Sequence, residues 1–202
     1  MFVQVIEGRT ENADGLHAAM DKWAEDLAPG ASGWLGSTAG VTSDGRFVAL
    51  VRFESEEAAR RNSDRPEQGR WWEETSRHFS GDATFHDSTD ALVDVAGDPD
   101  TAGFVQVLEG RYRDPQRAHE LMEQMSAMLP GARPEIIGDV VAEYDDGGYT
   151  MAVYFTSEDE ARAGERREPP AELAGQLEQM NALAAGETTF FDITDPWLYS
   201  PR

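Results

Sequence analysis

"FVQVIEGR" spans Phe2–Arg9, and "FVQVLEGR" spans Phe104–Arg111; seven of the eight positions are identical, with Ile6 standing against Leu108. The segment is rich in β-branched and aromatic residues, as a strand requires. A strand written twice in one chain points to a duplicated unit, and the correspondence continues outward from it. His17 and Met20 match His119 and Met122, Pro29-Gly30-Ala31 matches Pro130-Gly131-Ala132, and Asp44-Gly45 matches Asp146-Gly147. Phe53, Ser55, Ala59 and Arg60 match Phe155, Ser157, Ala161 and Arg162. "GDATFHDSTD" (Gly81–Asp90) agrees with "GETTFFDITD" (Gly186–Asp195) at six of ten positions. A period of roughly 100 residues is too long for a solenoid repeat and fits a duplicated domain.

Each half reads as strand, helix, strand, strand, helix, strand. Leu16, Met20, Trp23 and Leu27 form a helical stripe over 13–28, which Pro29-Gly30 ends. Residues 33–41 and 46–54 read as strands joined at Asp44-Gly45, where glycine tolerates the positive φ of a hairpin turn. Ser55 is placed to cap the next helix, and Ser157-Glu158-Asp159-Glu160 is a full capping-box pattern. A further helix is expected over 66–79 and a fourth strand over 82–88. Residues 91–103, with Gly97-Asp98-Pro99, read as a linker. The expected division is a first repeat at 1–90, the linker at 91–103, and a second repeat with a C-terminal tail at 104–202.

This order is the ferredoxin-like βαββαβ arrangement, an antiparallel sheet with helices on one face. A single copy leaves its other sheet face bare, a poor situation for about 90 residues. The expectation is an α+β protein whose two repeats pack sheet-to-sheet as an intramolecular dimeric α+β barrel. Such packing needs strands apolar on both faces, and "RFVALVRF" (Arg46–Phe53) is apolar nearly throughout. The tail "DPWLYSPR" carries Trp197, Leu198 and Tyr199, suited to covering a sheet edge or meeting a neighbouring molecule.

Composition narrows the function classes. The 202 residues carry a net charge of −22. Residues 1–102 hold 20 acids and 9 bases, and residues 103–202 hold 19 and 8, so each half is −11. A field of this sign repels phosphate backbones and anionic membranes, leaving nucleic acid and membrane as unfavoured partners. There are no cysteines, which removes disulfides and thiolate chemistry. The N-terminus lacks a signal-peptide pattern, so a cytoplasmic location is expected. The four histidines form no metal set, and no glycine-rich phosphate loop follows a strand. No metal and no cofactor are therefore expected. Either a monomer built on the internal pseudo-dimer or a higher homo-oligomer fits the sequence.

The copies differ most between Asn62 and His78, where "NSDRPEQGRWWEETSRH" has no equal in the second half. Adjacent helical residues point about 100° apart, so Trp71 and Trp72 do not share one face. One belongs to the core; the other covers an edge, lines a cavity or meets a partner. Asn62 precedes a turn from which its amide reaches between sheet and helix. It is a candidate site residue, with Trp71, Trp72, Arg65 and His78 as candidate pocket walls. The repeated pairs Glu7/Arg9 and Glu109/Arg111 read as ion-paired strand ends.

Strand one, the helix ending "PGA", the hairpin and "RFESEEAARRNSDRPEQGRWWEE" together resemble the antibiotic biosynthesis monooxygenase-like domains of the dimeric α+β barrel superfamily. The resemblance covers both halves. It implies a small-molecule pocket and a cofactor-independent monooxygenase-like reaction on an aromatic or polyketide-like substrate, which itself supplies electrons to dioxygen. It also implies that Asn62 is the catalytic residue and that Asn62 and a tryptophan hold a small aromatic ligand. The alternative is a non-catalytic, ligand-binding or stress-related barrel.

Overall fold

The first hairpin sets the register of everything that follows. In the computed structural model, which describes residues 1–95 and 98–201, β1 (Phe2–Arg9) leads into α1 (Ala13–Asp26). β2 (Trp34–Val41) and β3 (Arg46–Phe53) then form the hairpin. Gly45 adopts φ +83°, and a Cβ there would lie 2.7 Å from the Thr10 carbonyl oxygen, so both backbone and space require glycine. α2 (Glu56–Ser63) starts where Ser55 Oγ accepts from the Ala58 amide at 3.2 Å, and α3 (Pro66–Thr75) starts on Pro66. The first repeat ends in β4 (Thr84–Ser88). Beyond it lie β5 (Asp90–Val95) and the second repeat: β6 (Phe104–Arg111), α4 (Pro115–Ser126), α5 (Leu129–Ala132), β7 (Ile136–Glu143) and β8 (Gly148–Phe155). It continues through α6 (Glu158–Glu165), α7 (Ala171–Leu183) and β9 (Thr189–Ile193), and β10 (Trp197–Tyr199) follows.

Two five-stranded sheets result, ordered β10-β2-β3-β1-β4 and β5-β7-β8-β6-β9. Leaving out the first strand of each gives the ferredoxin-like order twice. The pairing registers match residue for residue: Phe2 faces Phe53 as Phe104 faces Phe155, and each register slips once, at Trp34/Gly36 and at Ile136/Gly138. The repeated strand motif is thus the sheet's central pairing element in both copies.

The chain divides differently from the sequence expectation. One unit is Met1–Ala91 with Asp195–Arg202; the other is Leu92–Thr194. The stretch read as a linker contains most of β5, which joins the sheet of the second unit beside β7. The tail returns as β10 to pair with β2 of the first unit, Trp197 opposite Ala39 and Tyr199 opposite Ser37. Unpaired backbone on an edge strand is the physical reason: each sheet gains a fifth strand that satisfies the outer side of β2 or β7.

Within the first unit the helix-side core gathers Phe2, Trp23, Trp34 and Phe53, continuing through Leu16, Met20, Phe47 and Trp197. On the opposite sheet face Val3, Val5, Val48 and Leu50 are also buried, as the strands apolar on both sides require. The second unit repeats this with Phe104, Phe155 and Ala161 under the helices, and Val105, Val107, Val140 and Ala152 on the other face.

Candidate functional site

Asn62 is buried at 6% exposure, and its surroundings are structural. Arg65 Nη1 donates to Asn62 Oδ1 at 2.9 Å and to the Leu27 carbonyl at 3.1 Å, while Arg65 Nε donates to Glu67 at 3.0 Å. Asn62 thus anchors the arginine that satisfies the carbonyl end of α1. The second copy performs the same task with exchanged volumes. Gly164 stands in place of Asn62, and a Cβ on it would fall 1.8 Å from Glu135 Oε1. Glu135, buried at 3%, occupies that space and accepts from Arg133 and, at 2.9 Å, from Arg167. In the first copy the residue before Trp34 is Gly33, with no side chain to compete with Asn62. A large-small pair has become a small-large pair, so the divergence at this position is compensated by packing.

The tryptophans are also engaged. Trp71 Nε1 donates to the Ala19 carbonyl at 2.9 Å, tying α3 to α1, and its ring lies 6.3 Å from Trp23. Trp72 packs against Phe79 and, edge-on at 5.1 Å, Phe85 of β4. His78 Nδ1 meets Asn12 Nδ2 at 2.8 Å, beside the N-terminus of α1. Of the five residues singled out in the sequence, Trp71 lines a shallow groove of about 200 Å³ between α1 and α3. Its rim mixes Lys22 and Arg70 with Asp26, Glu67 and Glu74. Asn62 and Arg65 are brought together, as are Trp71 and Trp72.

A larger groove, about 330 Å³, lies in the second unit between α4, α5 and the β5-β7-β8 side of the sheet. Its walls are Leu92, Met122, Met125, Leu129, Val141 and Met151; its polar groups are Asp94, Glu123, Ser126 and Asp139. The reason it is open lies in the fifth strand. At the same place in the first unit, β10 brings Trp197, stacked on His17 of α1 at 4.4 Å, and Tyr199, whose hydroxyl donates to Asp21 of α1 at 2.8 Å. Those rings fill the space between edge strand and helix. β5 supplies Leu92 and Asp94 instead, and the space stays empty of side chains.

Asp139 is the unusual group in this groove. It is 8% exposed, and among the described residues its carboxyl makes no hydrogen bond. Burial, with the charge of Asp94 beside it, pushes its pKa up from 3.8 to about 7. Ser126 Oγ donates to Asp94, which holds that carboxylate against α4. The first-unit counterpart of Asp139, by strand register, is Ser37, whose hydroxyl accepts from Trp34 Nε1 at 3.0 Å. Sequence reasoning passed over both aspartates. Signals were present: a lone Asp in the apolar strand "IIGDVVAE", and an Asp alternating with valine in "LVDV". Nearby, His119 Nδ1 meets Glu143 at 2.6 Å, so this histidine is held by a strand-end carboxyl. Among the described residues no three metal-ligating side chains converge, and no helix is long and apolar enough to cross a membrane.

Fold and groove together define a class, that of tandem ferredoxin-like α+β proteins with a small-molecule-sized pocket under the helices. No family model and no curated protein matches the sequence. Solved structures do match along the whole chain. A proposed monooxygenase from Lactobacillus acidophilus is 9% identical with a TM-score of 0.78, covering 98% of this chain and 96% of that one. An anthrone oxidase-like protein is 12% identical with a TM-score of 0.66, covering 98% and 92%. A ferredoxin-fold protein related to antibiotic biosynthesis monooxygenases, from Listeria monocytogenes, is 10% identical with a TM-score of 0.50, covering 100% and 95%. At these identities the likeness is one of fold. At that level the expected resemblance to antibiotic biosynthesis monooxygenase-like ferredoxin-fold proteins holds, and it spans both repeats.

Proposed function

We propose that the protein is a small-molecule oxygenase of the cofactor-independent kind, working on an aromatic or polyketide-like substrate in the groove of the second unit. The observation that carries this reading is Asp139, a buried carboxyl without a partner, set in apolar walls, with a proton affinity near neutrality. Such a group is matched to accept a proton from a hydroxylated ring at working pH. The walls of Leu92, Met122 and Met151 suit a flat apolar body. Deprotonation makes the ring electron-rich. An activated ring methylene then loses two hydrogens and gains one oxygen atom of dioxygen as a carbonyl, and the second oxygen atom leaves as water. The substrate supplies the electrons. Full-length fold neighbours named as monooxygenase and anthrone oxidase-like support the reaction class.

Asn62 leaves the catalytic role in this reading, because Arg65 already occupies its amide oxygen. Oxygen uptake with a panel of polycyclic phenols is the test. Uptake matched to substrate is expected from the native protein and from Asn62→Ala, and is expected to vanish in Asp139→Asn. Ligand binding without any uptake would place the protein with the non-catalytic barrels.

A further inference from the structure

The groove has a charge asymmetry that an oxygenase reading does not explain. Among the described residues its ionisable lining groups are Asp94, Glu123 and Asp139, all acids. Ser126 satisfies Asp94, but nothing satisfies Asp139, which is more than nine-tenths buried with its carboxyl facing the groove. A buried carboxyl left alone is costly and either holds a proton or awaits a cation. Among the described residues, the other acid of the second unit buried to this degree shows the usual solution. Glu135, at 3% exposure, takes two arginines. Around Asp139 the remaining surface is thioether and aliphatic, polarisable and free of hydrogen-bond donors other than Ser126.

We propose that the groove binds a cationic amphiphile, its ammonium group seated against Asp94 and Asp139 and its apolar body against Met122, Met125 and Met151. The inference rests on the assignment of this groove as the ligand site, but not on any oxygen chemistry there. Ligands that arrive negatively charged are disfavoured by Asp94 and Glu123, and the protein's net charge of −22 draws cations toward it. Binding displaces the proton from Asp139, because an adjacent positive charge favours the carboxylate. Among the described residues, the titratable groups that line the groove with Asp139 are Asp94 from β5 and Glu123 from α4; Ser126 of α4, Leu129 of α5 and Met151 of β8 do not titrate.

The test is titration calorimetry of the full chain with three probes of equal chain length: octyltrimethylammonium, octanol and octanoate. Near pH 8 the cation is expected to bind at least about tenfold more tightly than octanol, with octanoate weakest. Its affinity should fall severalfold near pH 6, where buffers of different ionisation enthalpy should report proton release. Asp139→Asn should lower cation affinity about tenfold and leave octanol unchanged; Asp94→Asn provides the same reading should the first variant not fold. Octanol binding as tightly as the cation, or a cation affinity that both variants leave intact, overturns the proposal. Cation binding without oxygen uptake sinks the oxygenase reading alone. Oxygen uptake with neutral substrates and no preference for the cation sinks this one alone.

Discussion

At the scale of single residues, Asp139 joins site and stability. Its folded pKa, about 7, lies above the 3.8 of the free side chain, so the folded state holds the proton more tightly. The stability linked to it is fully present below about pH 4 and is lost as pH rises through about 7. Asp139→Asn mimics the protonated form. Thermal denaturation should therefore show the variant more stable than the native chain at pH 8, by up to a few kcal/mol, with little difference at or below about pH 4. Equal melting at both pH values would show that Asp139 ionises normally. Asn62 gives the opposite case, in which burial marks structure. Asn62→Ala leaves Arg65 without one acceptor and opens a gap beside α1, and should cost about 1–3 kcal/mol in denaturant unfolding without changing ligand binding. The contrast also shows that a difference between the halves does not by itself mark a site. Asn62 differs from Gly164 conspicuously, but Gly33 and Glu135 compensate one strand away. Asp139 differs from Ser37 just as much and is compensated by nothing.

At the scale of elements, the fifth strands decide which unit keeps a groove between edge strand and helix. β10 brings two rings to the edge of its sheet; β5 brings none that line the groove. Trp197 is 6% exposed and stacks on His17, so Trp197→Ala should cost about 3–5 kcal/mol and open a cavity in the first unit. A dye that reports apolar cavities should then gain a second site. The converse change, Leu92→Trp, should fill the second unit's groove, abolishing probe binding while circular dichroism stays native. Ligand binding undiminished in that variant would place the site elsewhere. Most elements were legible beforehand. The stripe of Leu16, Met20 and Trp23, the capping serines Ser55 and Ser157, and the Asp44-Gly45 hairpin all formed as their local chemistry dictates. β5 was not legible, because strand pairing is a non-local interaction. "ALVDVAGDPD" carries turn signals that dominate any short-range reading, and only the free edge of β7 makes a strand of its first half.

At the scale of the whole molecule, charge and chain path matter most. A net charge of −22 on 202 residues repels itself, and the exposed ion pairs, such as Arg61 with Glu57, offset little of it. Raising salt from about 10 mM to about 0.5 M shortens the screening length severalfold and should raise the melting temperature by several degrees. A flat melting temperature would mean the acids are spaced widely enough not to interact. The chain path makes the first unit discontinuous, since Asp195–Arg202 belongs to it. The amino-acid sequence by itself determined the duplication, the order of elements in each copy and the ferredoxin-like class, because these follow from local periodicity, capping and turn chemistry repeated at matching positions. Only the tertiary structure decided which copy keeps a groove and which acid stands alone in it. That outcome depends on the strand each sheet edge receives from a distant part of the chain, and on whether a neighbouring side chain fills the space a substitution leaves.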